Sequence, residues 1–258
     1  MKISIYFYLI LILFIGCNNT NNDSIQKNES YVIQNLWSQT NDVIKFMDRP
    51  DRLFKLNRNK AALIVVDMQN AFCLPTGCIE IPKSRDIVDN INLIIEASRN
   101  NGIPVIWIKM SIDSRPNADN GLWPLFQPKS PVSKDRKLPP EALSDLKEAT
   151  EIYSKLHLDA SLDIQVPKNR YSAFIGNSSE LKNVLKKLKK SQLIFTGIGT
   201  NVCVESTVRD AMMLNYEVLV VSDATATISN LMHEISLMNI KMFFGDVLTT
   251  KQVLSEIN

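Results

Sequence analysis

Cys203 stands where a chain can make a nucleophile. The apolar, β-type run Leu193 to Phe195 ends in a small-residue turn, Thr196-Gly-Ile-Gly-Thr200, and a helical pattern begins almost at the cysteine. A cysteine in the first turn of a helix, beyond the carboxyl end of a strand, meets unpaired backbone N–H groups and the positive end of the helix dipole. Both favour a thiolate. The same N–H groups can hold an oxyanion formed on an attacked carbonyl. A free cysteine is more often a small core residue, so its companions matter. Histidine is the common proton carrier for such a nucleophile, but the only two, His157 and His233, lie in no motif. A carboxylate with a lysine does the same work: the first takes the thiol proton, the second stabilises the resulting charges. Asp67 follows the apolar run Ala61 to Val66, and Lys168 follows Asp163 to Val166. Separately, Asp67 reads as an ordinary strand-end or cap residue and Lys168 as a surface charge.

The elements that would position these residues alternate. Ala61 to Val66 is continuous and β-branched, as a buried parallel strand requires. Asp86 to Asn101 carries Ile87, Val88, Ile91, Ile94 and Ile95 at helical spacing, with Gly102 as its stop. Ile103 to Ile108 predicts the next strand. Residues 111–140 are rich in Pro, Asn and Ser without clear periodicity, which suits a lid or pocket wall. Residues 141–156 read as helical, and Asp163 to Val166 as a short strand. Asn177 to Lys190 reads as a helix with an Asn177/Glu180 capping pair. Leu193 to Thr196 predicts a strand, Val202 to Leu214 a helix, Glu217 to Val221 a strand, 231–242 a helix and Asp246 to Leu248 a last short strand. Strands alternating with helices imply an α/β fold, a three-layer doubly wound parallel sheet, with its site beyond the strands' carboxyl ends. Asp67, Lys168 and Cys203 all belong to that edge.

Three segments carry a resemblance. Ala62 to Phe72, with Asp67 and Gln69, resembles the first motif of the isochorismatase-like cysteine hydrolases. Val166 to Phe174, with Lys168 and Tyr171, resembles the superfamily's lysine motif. Thr196 to Ala211, with Cys203, resembles its nucleophile motif. The likeness covers most of residues 60–250 and, through Lys168 to Phe174, Asn201 to Thr207 and Phe243 to Val247, leans toward ureidoacrylate amidohydrolase-type members. It implies a Cys203, Asp67, Lys168 triad and a cis peptide at Ile198-Gly199 that turns the N–H groups of Gly199 and Cys203 toward one oxyanion. Gln69, Tyr171 and, more loosely, Trp123 and Phe126 would face the substrate. The implied activity is hydrolysis of a small amide or carbamoyl C–N bond through a thioester. The nicotinamidase branch binds a metal through an Asp-x-His pattern, and Ser111 to Ala118 holds no histidine, so no metal and no other cofactor is expected. Members are commonly dimers or tetramers, so a homo-oligomer is a further implication.

The amino terminus reads separately. Met1-Lys2 precedes an apolar run from Ile3 to Ile15, then Gly16-Cys17 and a polar stretch. That is a secretory signal, too short for the roughly 20 apolar residues of a spanning helix. Phe14 to Cys17 resembles a bacterial lipoprotein box, which implies cleavage before Cys17 and lipid on its thiol. The expected organisation is a signal over 1–16, a polar tether and helical lead-in over 17–58 and the hydrolase domain over 59–258, in an exported, membrane-anchored lipoprotein.

The 258 residues are 45% hydrophobic with a formal charge of +2. That suits one domain with a sizeable core and gives no reason to expect nucleic acid. The lysines from Lys182 to Lys190 read as a solvated helix face. Gly197 to Val202 partly echoes a dinucleotide fingerprint but lacks its last glycine. Cys73 and Cys78 either pair, as exported cysteines can, or remain two thiols near the site. A second class of function stays open: an anchored binding protein that kept the fold and lost catalysis.

Overall fold

The run Ala61–Val66 forms strand β1, and all six of its side chains are buried. A strand covered on both faces needs apolar residues at every position, not alternate ones. The computed structural model describes residues 22–77, 79–111 and 146–258. Their strands are β1, β2 (Val105–Met110), β3 (Ile164–Lys168), β4 (Gln192–Ile198), β5 (Glu217–Ala226) and β6 (Asp246–Leu248). They make one sheet in the order β3-β2-β1-β4-β5-β6. Every pairing is parallel, as in Leu63 opposite Val105 and Leu63 opposite Ile194.

The helices are α1 (Asn22–Phe46), α2 (Asn70–Cys73), α3 (Val88–Asn100), α4 (Leu146–Thr150), α5 (Leu181–Leu188), α6 (Glu205–Met213), α7 (Asn230–Phe243) and α8 (Thr250–Ile257). Leu63 and Val65 of β1 share a core with Ile91, Ile94 and Ile95 of α3 and Val253 and Ile257 of α8. The intervening side chains, Ala62, Ile64 and Val66, point to the other face. There α6 and α7 pack on each other and against β5. This is the three-layer, doubly wound α/β arrangement. The chain passes from β1 to β2 on one side and from β4 to β5 on the other, so the switch of direction falls between β1 and β4. A crevice forms there, beyond the carboxyl ends of the strands.

Local chemistry sets the limits of these elements. α3 buries Val88, Ile91, Ile94 and Ile95 on one stripe and ends before Gly102 at φ +68°, which a Cβ would disfavour. α5 begins only at Leu181, whose amide is taken by Ser179 Oγ at 3.1 Å. The expected Asn177/Glu180 capping pair is therefore not used. The helix expected over 141–156 is limited, within the described residues, to α4. Beyond it Ile152 bridges to Gln69. β5 runs five residues past its expected end. α8, absent from the sequence reading, starts at a capping box in which Thr249 and Gln252 each satisfy the other's backbone N–H.

The chain divides into two units at Asp42/Val43. In the first, the polar tether expected up to about residue 30 is helical from Asn22. Asp23 and Ser24 suit a helix start, and Gln26, Lys27 and Glu29 are good helix formers, so polarity here does not mean disorder. Among the described residues no helix is long and apolar enough to cross a membrane.

Candidate active site

Asp67 is the first residue after β1. Its backbone is left-handed, φ +53°, a conformation that Asp tolerates better than most residues, and its amide donates to the Ile108 carbonyl at 2.9 Å. Lys168 closes β3, two strands away, with β2 between them. Two strand spacings of about 4.8 Å each must be bridged, and lysine is long enough to do so. Its Nζ donates to Asp67 Oδ2 at 2.8 Å and to the Arg170 carbonyl at 3.1 Å, and lies 3.4 Å from Cys203 Sγ. The Asp67 and Lys168 side chains are sealed from solvent. Asp67 Oδ1 is also buried and has no hydrogen-bond partner among the described residues.

Cys203 lies in a single π-helical turn, Thr200–Val204, that joins β4 to α6. Extra residues in such turns are frequent at functional sites. The turn is pinned from several sides. The Gly199 carbonyl accepts from the amides of Val202 and Val204. Thr207 Oγ1 donates to the Cys203 carbonyl at 2.6 Å. Ser236 Oγ donates to the Thr200 carbonyl and to Glu205, whose carboxylate also receives Asn239 and Arg209. The Thr200 hydroxyl meets His233 Nδ1 at 2.9 Å. The peptide Ile198-Gly199 is cis. Gly197, at φ +103°, lets β4 pass β1: a Cβ there would fall 2.1 Å from the Val66 carbonyl oxygen.

The electrostatics correct one expectation. Burial, and then the negative charge of Asp67, push the Cys203 thiol far above its ordinary 9.0, and Lys168, which pulls the other way, does not prevail. The resting sulfur is a thiol, not the thiolate that a helix N-terminus alone would favour. For Lys168, burial opposes the charge, but Asp67 and Cys203 hold its pKa above the usual 10.5.

Asp67 and Cys203 border a cavity of about 300 Å³ whose walls include Phe72, Ile79, Ile81, Met110, Tyr171, Ile198, Gly199, Val202, Thr227 and Ile228. Tyr171 borders this cavity. Gln69 also borders the cavity, but its amide is turned to the protein. Nε2 donates to the carbonyls of Met110 and Thr150, and Oε1 accepts from the Met110 amide at 2.7 Å. It holds the wall together; its amide is not presented to a ligand. Trp123, Phe126, Cys17 and Cys78 lie outside the described residues. Cys73 is buried, with its thiol pushed up to about 11 by burial, and forms no disulfide among the described residues. No cluster of three or more His, Cys, Asp or Glu able to hold a metal occurs among the described residues. Of the residues that hold the Cys203 turn and the apolar walls, Phe72, Ile198, Gly199, Val202 and Glu205 lie inside the three motifs, whereas Ile79, Ile81, Met110, Ile228, Ser236 and Asn239 carry no signal in the sequence.

The sequence pattern of the isochorismatase domain matches residues 61–252. The chain belongs to the isochorismatase family. Among family relatives, ureidoacrylate amidohydrolase of Klebsiella pneumoniae is 33% identical over 216 residues, covering 76% of this chain and 86% of the relative. The crystal structure of a cysteine hydrolase from Pseudomonas syringae superposes with a TM-score of 0.68 at 29% identity, over 81% of this chain and 97% of that one. N-carbamoylsarcosine amidase of Thermoplasma acidophilum shares the fold, with a TM-score of 0.56 at 24% identity over 74% of this chain and 96% of that one.

Proposed function

We propose that the protein is an amidohydrolase that cleaves a small amide or carbamoyl C–N bond, with Cys203 as nucleophile, Asp67 as proton carrier and Lys168 as electrostatic partner. The observation that carries this reading is the Lys168 ammonium, which touches both Asp67 and Cys203 on the wall of a cavity at the switch point of the sheet. The 33% identity with a ureidoacrylate amidohydrolase supports the same bond class.

The thiol proton passes to Asp67, whose Oδ1 has no hydrogen-bond partner among the described residues. As the proton leaves, the sulfur attacks the carbonyl carbon. The oxyanion is held by the N–H groups of Gly199 and Cys203. Protonated Asp67 gives its proton to the leaving nitrogen, the C–N bond breaks, and ammonia or an amine departs. A water, deprotonated by Asp67, attacks the thioester; the C–S bond breaks and the sulfur regains its proton. Lys168, hydrogen-bonded to Asp67 and 3.4 Å from the sulfur, offsets negative charge as it moves between them. The resting thiol suits this order, because the proton needed by the leaving group is already stored in the site.

The test is ammonia release by the full chain and its Cys203→Ala variant from ureidoacrylate, biuret, N-carbamoyl amino acids and nicotinamide. Cysteine-dependent release, falling by at least about a thousandfold in the variant, supports the reading. Equal rates would overturn it. We also propose that the chain is exported and lipid-anchored through Cys17, on the strength of residues 1–17, which lie outside the described residues. An intact mass of the membrane-extracted protein that retains Met1, or an unmodified Cys17, would end that proposal.

A further inference from the structure

We propose that the body of the substrate, away from the scissile bond, is apolar and uncharged, so that neutral alkyl or aryl amides and ureas are preferred over amides that carry a carboxylate. The inference rests on the amidohydrolase reading above and narrows its substrate class. Phe72, Ile79, Ile81, Met110, Ile198 and Ile228 approach the cavity from β2, β4 and the segments that follow β1 and β5. Contact with such walls removes apolar surface from water and favours a ligand roughly in proportion to the area covered. Among the described residues, the Gln69 and Thr227 side chains on the same walls are already engaged. Both ends of the Gln69 amide are bonded to backbone, and the Thr227 hydroxyl donates to Asn201 Oδ1 at 2.8 Å. The triad supplies no net attraction for an anion either. Lys168 is paired with Asp67 at 2.8 Å, and its ammonium is turned to Asp67, Arg170 and Cys203 rather than into the cavity. A carboxylate entering this cleft would lose its water against hydrocarbon.

The chemistry is unchanged by this choice. Water and an amide give a carboxylate and ammonium, and water and a urea give a carbamate and ammonium. One C–N bond breaks, one C–O bond forms, and nothing is oxidised.

The experiment uses two matched pairs: 3-methylbutylurea against 3-ureidopropionate, and 4-methylpentanamide against succinamate. In each pair an isopropyl group replaces a carboxylate of similar shape. The full chain is assayed for kcat/KM, and the Cys203→Ala variant is titrated with the same compounds by calorimetry. The neutral member of each pair is expected to be favoured by about tenfold or more in both measurements, the range a hydrophobic pocket can discriminate. Ile228 is two-thirds exposed at the cavity rim, so Ile228→Lys leaves the core intact and is expected to narrow that ratio several-fold. Equal or tighter binding of the carboxylates, or no binding of either member, overturns the inference. If the variant binds the neutral compounds selectively but the full chain releases no ammonia, the apolar site stands and the amidohydrolase reading fails.

Discussion

Lys168 donates to Asp67 across 2.8 Å with both side chains sealed from water. Removing one member of such a pair strands a charge, at a cost of about 3–5 kcal/mol, whereas replacing both with apolar residues is often neutral. Lys168→Met alone and Asp67→Leu alone are therefore expected to lose stability of that order. The double variant should recover most of it while remaining inactive. Urea denaturation of the four proteins measures the cycle. Additive losses in the double variant would mean that the two side chains stabilise the fold independently.

Cys203 and Lys168 predict an alkaline limit. Both have raised pKa values when folded, Cys203 from 9.0 and Lys168 from 10.5. A group that holds its proton more tightly when folded contributes stability in full below its unfolded pKa and loses it as pH rises toward the folded value. Stability should thus begin to fall above pH 9, with a second component above 10.5. Cys203→Ala should lose part of the first component and keep the share of Cys73, whose thiol burial pushes up to about 11. The same physics predicts slow alkylation of Cys203 by iodoacetamide at pH 7, and faster alkylation in Asp67→Asn, where the charge that raises the thiol is gone and Lys168 remains. Peptide mass mapping would assign the modified cysteine; a slower Asp67→Asn would contradict the sign.

Some of this was legible in the chain and some was not. Ala61 to Val66 declares its strand because a central parallel strand is apolar on both faces, and Asp67 declares its place because it ends that run. Cys203 is placed by the same logic after β4. Its protonation state is not legible, because it depends on how closely Asp67 approaches and how deeply both are buried. Nor are the walls: Gln69 holds partners 41 and 81 positions away, and Ile228 reaches the cavity only because β5 runs on to Ala226. α8 is too short for periodicity to reveal, though its Thr249/Gln252 pair was in plain view. The Asn177/Glu180 pair shows the converse: the right residue types, but the helix begins only at Leu181, whose amide is taken by Ser179 Oγ.

Gln69 supports the cavity wall with one amide. Gln69→Leu would keep the volume but leave the Met110 amide and two carbonyls without their partners. Each buried backbone group so exposed costs roughly 1–3 kcal/mol. The variant should be less stable, and KM should rise more than kcat falls, because the wall shifts while the triad stays. A drop in kcat with unchanged KM would instead place the Gln69 amide on the reacting atoms.

Gly197 sets how closely the strand that delivers Cys203 runs beside the strand that delivers Asp67. A methyl group at 197 would sit 2.1 Å from the Val66 oxygen and 2.7 Å from its nitrogen, at φ +103°, where L side chains are disfavoured. The nearest atoms are all Val66 backbone, so nothing flexible is there to yield. Gly197→Ala is therefore expected to cost more than about 4 kcal/mol, the range reserved for a defect of this kind. Gly102→Ala makes the control. It too has a positive φ, but nothing lies within 4 Å of the added Cβ, so its cost should be near 1 kcal/mol. Thermal unfolding of the two separates them: if they lose the same amount, the contact between β4 and β1 is not what requires glycine at 197, and backbone dihedral preference alone explains it.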